Sequence, residues 1–99
     1  MYIVAVTSCP TGVAHTYMAA ERLERAARKL GHTIKVETQG AMGIENALTG
    51  EDIARAQVAV FAAGVPVRNP ERFTGLRIVE IPVAEAIKNA EGVLAGLGG

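Results

Sequence analysis

The sequence predicts an α/β fold, a three-layer sandwich in which a four-stranded parallel sheet carries helices on both faces. Two segments, Tyr2–Thr7 and Val58–Ala63, are almost continuously apolar, which is typical of parallel strands covered on both faces. Helical patterns separate the predicted strands along the chain, which indicates βαβ units. Right-handed crossovers between such units predict the strand order 2-1-3-4.

The first unit comprises the strand Tyr2–Thr7, a loop, and a helix over Ala14–Leu30. Apolar residues recur along that helix at the spacing of one face, at Ala19, Leu23, Ala26 and Leu30. Gly31 follows as a residue suited to the C′ position, and basic residues lie in the preceding turn, where they complement the helix dipole. Charge order and glycine position therefore agree on where the helix ends.

The second strand is predicted over Thr33–Thr38. It alternates apolar residues with Lys35 and Glu37, so we expect an edge strand with one face more exposed than those of the first strand. The segment 39–50 contains three glycines and is expected to be irregular, with a turn of helix at Ile44–Leu48. Thr49 is then a candidate N-cap for a short helix over Glu51–Ala56.

The remaining chain supplies two more strands and a helix. The apolar strand Val58–Ala63 ends at Gly64, and a loop with two prolines and two arginines spans 65–75. Leu76–Ile81 is the fourth predicted strand, and Val83–Leu97 the last helix. The length of 99 residues suits one domain over 1–99.

Composition excludes several classes of function. Ten Lys and Arg residues balance ten Asp and Glu residues, so the field that draws proteins to nucleic acid or to anionic membranes is absent. The single cysteine cannot form an internal disulfide or complete a zinc site, and we expect no metal, no cofactor and a reducing compartment. The apolar N-terminus is too short to insert into a membrane.

The predicted topology makes the loop after the first strand the candidate active site. The strand order reverses there, and open parallel sheets bind ligands outside the carboxyl ends of strands at such a point. The loop joins a buried strand to the first turn of a long helix, where amide N–H groups lack intrahelical partners and favour anions. Cys9 is its first residue, and the same donors favour a thiolate, which makes Cys9 a candidate nucleophile.

The residues after Cys9 and Pro10 are candidate phosphate ligands, namely Thr11, Gly12, Val13, Ala14, His15 and Thr16. Gly12 lets the backbone approach a bound group, and a neutral His15 ring would donate one N–H to a phosphoryl oxygen. Thr16 is spaced to hydrogen-bond the Cys9 sulfur. Each residue also has a purely structural interpretation: a buried small side chain for Cys9, a helix-start residue for His15, and helix-capping hydroxyls for the threonines.

Two further chemistries suit a loop of this kind. Cysteine phosphatases place Cys, five residues, Arg and Ser/Thr between a strand and a helix; Cys9 and Thr16 fit that spacing, but His15 stands in the arginine position. Without the bidentate guanidinium, transfer of the phosphoryl group is favoured over hydrolysis. A flavodoxin-like flavin-binding module is the other alternative, although the chain has no Trp and only two Tyr to stack on a flavin ring.

The chain resembles the fructose-type enzyme IIB domain of the bacterial phosphoenolpyruvate:sugar phosphotransferase system. The resemblance covers nearly the whole chain and is carried by five blocks: Cys9 to Thr16, Met18 to Glu21, Lys35 to Gly40, Gly43 to Asn46, and Glu71 to Phe73. It implies that Cys9 receives a phosphoryl group from a phosphohistidine of a IIA protein and passes it to a sugar, fructose in the named type, held by the membrane IIC component. It also implies a cytoplasmic domain that associates with the inner face of the membrane through IIC.

Candidate partner contacts lie around the same crevice, at Pro10, Gln39, Gly40, Arg68 and Arg72. Gln39 and Gly40 follow the second predicted strand, so they should lie near the cysteine loop. The two arginines either help to receive a phosphoryl group or are solvated loop residues. The chain departs from the resemblance at 64–69, where members of the family commonly carry acidic residues, and this removes negative charge from the crevice.

Overall fold

The computed structural model describes residues 1–9, 13–40 and 43–97. In this part of the chain the fold is α/β, with a five-stranded mixed sheet and three α-helices. The elements are β1 (Tyr2–Ser8), α1 (Val13–Lys29), β2 (Thr33–Gly40), β3 (Gly43–Glu45), α2 (Gly50–Arg55), β4 (Val58–Ala63), a 3-10 helix (Pro70–Phe73), β5 (Ile78–Ile81) and α3 (Val83–Ala95).

The sheet has the order β3-β2-β1-β4-β5, and β3 runs antiparallel to β2. The prediction of a four-stranded parallel sheet with order 2-1-3-4 was therefore wrong. The missed strand is only three residues long, too short to show alternation, and its glycine suggested a loop. Gly43, at φ +94°, pairs with Gly40 and returns the chain along the edge of β2.

The expected helical turn at Ile44–Leu48 was also wrong, because Ile44 belongs to β3 and pairs with Gln39. Asn46 leaves the strand in a left-handed conformation at φ 55°, which asparagine tolerates better than most residues. Its side-chain Nδ2 donates a hydrogen bond to the Val36 carbonyl at 2.9 Å. This contact fixes the chain over β2 as it passes toward α2.

Helices cover both faces of the sheet. On one face Ile3 and Ala5 of β1 join a cluster with α1 and α3, including Leu23 and Leu94. On the other face, alternate β1 residues pack with the α2 side of the molecule in a second cluster: Val4, Val6, Leu48, Phe61 and Phe73. The Phe61 and Phe73 rings meet edge to face with centroids 5.0 Å apart, a favourable aromatic geometry. The central strand is thus held from both sides.

The β2 strand is not the last strand of the sheet, and its carboxyl half is buried on both faces, contrary to the expectation from its alternating pattern. It pairs with β3 at Thr38–Gly40, and Glu37 is fully buried. The face with Lys35 and Glu37 lies under α2 and the 3-10 helix, which supply opposite charges. Lys35 Nζ lies 2.7 Å from Asp52 Oδ2, while Arg72 pairs with Glu37. The alternating pattern of β2 correctly assigned its residues to two faces of the sheet. It could not show that α2 and the 3-10 helix cover the face with Lys35 and Glu37.

The helix boundaries follow the sequence signals closely. Thr49 caps α2 in a capping box, in which its side chain accepts from the Asp52 amide and the Asp52 carboxylate accepts from the Thr49 amide. Gly31 adopts φ +78° after α1, as its predicted role at the helix end requires. In the described part of the chain no helix is long and apolar enough to cross a membrane.

Candidate active site

Cys9 is half-buried and directly follows β1, where it packs against the core between the sheet and helices α1 and α3. The strand before it is held on both sides, with Ser8 opposite Gln39 of β2 and Ala63 of β4. One further hydrogen bond, from the Gly64 amide to the Ser8 carbonyl at 2.8 Å, continues that pairing at the strand end. The position of Cys9 is therefore set by the most enclosed strand of the sheet.

The first turns of α1 lie against the end of β1, next to Cys9. Thr7 Oγ1 donates a hydrogen bond to the Thr16 carbonyl at 3.1 Å, which ties the start of the helix to the end of β1. The Thr16 side chain is buried, and its Oγ1 lies 3.9 Å from where a Cβ on Gly40 would stand. The end of β2 thus approaches the start of α1 closely.

His15 lies beside the sulfur. Its Nδ1 is 3.8 Å from Cys9 Sγ, within hydrogen-bonding distance for sulfur, and the residue is exposed to solvent. An imidazole in contact with a thiol favours the nucleophilic thiolate form, and the adjacent helix N-terminus acts in the same direction. The structure thus brings the predicted nucleophile, Cys9, and the predicted phosphate ligand His15 into contact.

The other predicted phosphate ligands are only partly described. Ala14 is exposed in the first turn of α1, and Val13 is the first residue of that helix. Pro10, Thr11, Gly12 and the side chain of Val13 lie outside the described residues, so their roles remain predictions.

An ion pair between Glu37 of β2 and Arg72 of the 3-10 helix was not anticipated from the sequence. The guanidinium of Arg72 donates to both carboxylate oxygens of Glu37, at 2.9 and 3.0 Å, and the Leu48 amide donates to Oε1 at 2.9 Å. Burial alone would raise the pKa of Glu37, but the hydrogen bonds from Arg72, Gln39 and Leu48 outweigh it and lower the pKa. The same pairing raises the pKa of Arg72.

Gln39 connects this ion pair to the loop after β4. Its side-chain Nε2 donates to Glu37 Oε2 at 2.7 Å and to the Arg68 carbonyl at 3.3 Å, while its Oε1 accepts from the Arg68 amide at 2.8 Å. Gln39 is buried, so it holds the loop rather than presenting its own amide to solvent. Arg72 is likewise engaged by Glu37 rather than solvated, whereas Arg68 is exposed.

A cavity of about 570 Å³ opens on the other side of Cys9, toward β4 and β5. Its walls are mostly small or apolar, and Glu80 is the one charged residue among them; the lining residues are Cys9, Ala63, Gly64, Glu80, Ile81, Pro82 and Val83. Val83 begins α3, so the cavity lies where the carboxyl ends of three strands and the start of a helix converge.

No group of three or more His, Cys, Asp or Glu residues suited to a metal ion occurs within 1–9, 13–40 and 43–97. A half-buried cysteine, a histidine and the N-terminus of α1 lie together at the end of the central strand. A family model described as "PTS system, Lactose/Cellobiose specific IIB subunit" matches residues 4–96. The chain belongs to the IIB family of the phosphotransferase system.

Individual relatives of the IIB chain agree with this assignment. The fructose-like EIIB component 2 of Escherichia coli K12 is 48% identical over 93 residues, which cover 94% of this chain and 88% of the relative. The solved IIB subunit from E. coli K12 superposes with a TM-score of 0.91 at 44% identity, covering 96% and 88% of the two chains. A domain of the fructose-specific IIABC component of Borrelia burgdorferi gives 0.89 at 48% identity, covering 94% and 88%.

The resemblance to the IIB family is thus confirmed over nearly the whole chain. A solved arsenate reductase also aligns, with a TM-score of 0.56 at 12% identity over 99% of this chain and all of that chain. At that identity the likeness shows the fold alone. The arsenate reductase therefore shares an architecture with this chain, whereas the IIB relatives share sequence as well.

Proposed function

We propose that this chain is a phosphoryl carrier in sugar uptake and that residues 1–99 form one phosphotransferase IIB domain. Cys9 accepts a phosphoryl group from a phosphohistidine of a IIA protein or domain and passes it to a sugar held by a membrane IIC component. The observation that supports this proposal is the 3.8 Å contact between Cys9 Sγ, at the end of β1, and His15 Nδ1, in the first turn of α1. The chain in which this contact occurs belongs to the IIB family.

The proposed transfer uses the sulfur as nucleophile. The Cys9 thiolate attacks phosphorus, an S–P bond forms, and the P–N bond to the donor imidazole breaks with its electron pair returning to the ring nitrogen. Amides at the start of α1 and the His15 N–H donate to the phosphoryl oxygens as their charge changes. The same groups serve the second step, in which a sugar hydroxyl displaces the sulfur.

The chain favours transfer over hydrolysis because it lacks a guanidinium clamp at the position of His15. Arg72 does not replace that clamp, since Glu37 engages its guanidinium with two hydrogen bonds. A phosphocysteine formed at Cys9 should therefore persist until an acceptor arrives. Persistence of the phosphorylated form is what a carrier with two successive partners requires.

The partner assignment is supported by the arrangement of relatives. The fructose-like EIIBC component of E. coli K12, 50% identical over 97 residues, contains this region as 20% of its length. We infer that the chain works with a IIA donor and a IIC acceptor on the cytoplasmic side of the membrane, for a sugar of the fructose class. The proposed contacts to these partners are Pro10, Gly40 and the exposed Arg68.

Labelling tests the proposal directly. When radiolabelled phosphoenolpyruvate is supplied with the general phosphotransferase proteins and a matching IIA, the wild-type chain should acquire an acid-sensitive label. The Cys9→Ser variant should acquire none, while His32→Ala, which changes an imidazole away from the crevice, should label like wild type. Retained label on Cys9→Ser would show that the acceptor is another residue.

A further inference from the structure

The β1 strand changes character two residues before Cys9. From Ile3 to Val6 its side chains are apolar and fully buried, whereas Thr7, which is equally buried, carries a hydroxyl. Thr7 Oγ1 donates a hydrogen bond to the Thr16 carbonyl of α1 at 3.1 Å. This bond and the packing of Cys9 place both side chains on the face of the sheet that α1 and α3 cover, as expected for alternate residues along a strand.

The stability of the fold does not require the Thr7 hydroxyl. Valine has nearly the same shape as threonine, and at this buried position it would add apolar surface to the core and leave no hydroxyl to satisfy. The Thr16 carbonyl lies within α1, where it also accepts from the amide four residues later. The hydrogen bond therefore adds a fixed link between strand and helix to a carbonyl that is already satisfied.

This link joins the two flanks of the segment that contains the sulfur and the imidazole. Thr7 lies two residues before Cys9, and Thr16 directly follows His15. The contact between Cys9 and His15 is long for a restraint, at 3.8 Å, and His15 is exposed, so water competes for its ring. The Thr7 bond is buried, where a hydrogen bond is stronger. It is thus the firmer of the two connections across the segment.

We propose that Thr7 is a positioning residue for phosphoryl transfer, because its hydrogen bond to the Thr16 carbonyl holds the start of α1 against β1 and keeps the His15 imidazole in contact with the Cys9 sulfur. Thr7 is fully buried and cannot reach a partner, so it acts through His15. This inference rests on the proposed function and deepens it by naming the group that fixes the geometry of the site.

Alkylation by iodoacetamide tests the inference without any partner protein, because Cys9 is the single cysteine of the chain. At neutral pH both Thr7→Val and His15→Ala should react more slowly than the wild type, Thr7→Val by about threefold, the effect of losing one hydrogen bond. Thr7→Ser keeps the hydroxyl and should recover most of the rate. In the His15→Ala background, Thr7→Val should slow the reaction no further, because the contact that it supports is already absent.

The matched control is Thr74→Val, which removes a hydrogen bond of the same kind, from Thr74 Oγ1 to the Glu71 carbonyl at 2.8 Å, beside the 3-10 helix. It should be alkylated at the wild-type rate. Urea unfolding of each variant shows whether it folds.

Three results would overturn the inference. A wild-type alkylation rate in Thr7→Val would mean that the hydroxyl does not affect the sulfur. Losses from Thr7→Val and His15→Ala that add in the double variant would mean that Thr7 does not act through His15. A Thr7→Val chain that fails to fold would make the hydroxyl a structural requirement. Failure of the wild-type chain to label from phosphorylated IIA would instead refute the proposed function, so the two failures are distinguishable.

Discussion

The guanidinium of Arg72 binds both carboxylate oxygens of Glu37, with Nη1 2.9 Å from Oε1 and Nη2 3.0 Å from Oε2. Glu37 is fully buried in β2, and Arg72 comes from the 3-10 helix, thirty-five positions later in the chain. The pair joins β2 to the 3-10 helix. Its integrity should therefore affect the stability of the fold.

Removing only one partner of this ion pair should be costly. Arg72→Met leaves the Glu37 carboxylate buried without its main counter-charge, and we expect the free energy of unfolding to fall by roughly 3 kcal/mol. The double variant Glu37→Gln/Arg72→Met removes the charge as well and should recover most of that loss. Urea unfolding of both variants measures the difference, with the exposed Arg28→Met as control. Equal losses in single and double variants would contradict the interpretation.

The same ion pair predicts acid sensitivity. The pKa of Glu37 is lowered in the folded chain below its usual 4.5, despite the opposing effect of burial. A carboxyl with a lowered folded pKa contributes stability that is fully present above the unfolded pKa and is lost as pH falls through the folded one. Unfolding midpoints in urea should therefore decrease below about pH 4.5. The Glu37→Gln variant should show a smaller decrease of the urea midpoint with falling pH. If its midpoint fell with pH as steeply as that of the wild type, Glu37 would not be the source of the acid sensitivity.

The contact between His15 and Cys9 predicts a kinetic effect. His15→Ala removes one donor to the phosphoryl group and the polar neighbour of the sulfur, so phosphorylation of Cys9 by IIA should slow by roughly tenfold to a hundredfold without being abolished. Rapid-quench labelling measures the rate. The control is His32→Ala, since His32 lies beyond the other end of α1. If His15→Ala labels at the wild-type rate, His15 is only a helix-start residue.

Restoring the guanidinium should change the fate of the phosphocysteine. His15→Arg recreates the spacing of Cys, five residues, Arg and Thr, which supplies the clamp for a hydrolytic transition state. We expect the label on Cys9 to decay about tenfold faster in this variant, and p-nitrophenyl phosphate turnover to appear. His15→Lys, which adds charge without the bidentate geometry, is the control. Appreciable turnover by the unmodified chain would instead favour the phosphatase alternative.

The cap of α2 offers a further stability test. Thr49→Ala removes the side-chain acceptor for the Asp52 amide and should lower the free energy of unfolding by about 1 kcal/mol. Thr49→Asp retains an acceptor and should restore most of the loss, as followed by thermal unfolding. An alanine variant as stable as wild type would mean that the capping box contributes little here.

The parts of the fold predicted from sequence are those set by local signals. The apolar runs correctly identified β1 and β4, and Thr49 and Gly31 marked helix ends, because burial pattern and capping depend on nearby residues. The strand β3 was missed since three residues hold no periodicity. Its pairing with β2 includes Gly40 opposite Gly43, two glycines that the sequence shows only as part of an irregular segment.

In the candidate site, too, only the residues that are close in sequence could be singled out in advance. Cys9 and His15 lie six positions apart, at the end of β1 and in the first turn of α1, and the structure places their side chains in contact. The roles of Glu37 and Gln39 could not be predicted, because each depends on a segment distant along the chain. A polar residue in a strand looks solvated until its partner is known, and here the partners are Arg72 and the backbone of residue 68.

The hydrogen bonds between the Gln39 side chain and the loop after β4 have a consequence for how that loop can vary in sequence. Gln39 contacts only the amide and carbonyl of residue 68, never its side chain. Any amino acid that keeps a backbone N–H therefore satisfies the attachment, and proline alone would break it. Side chains along 64–69 can diversify between paralogues without detaching the loop. The attachment of this loop to β2 is therefore independent of the side chain at position 68.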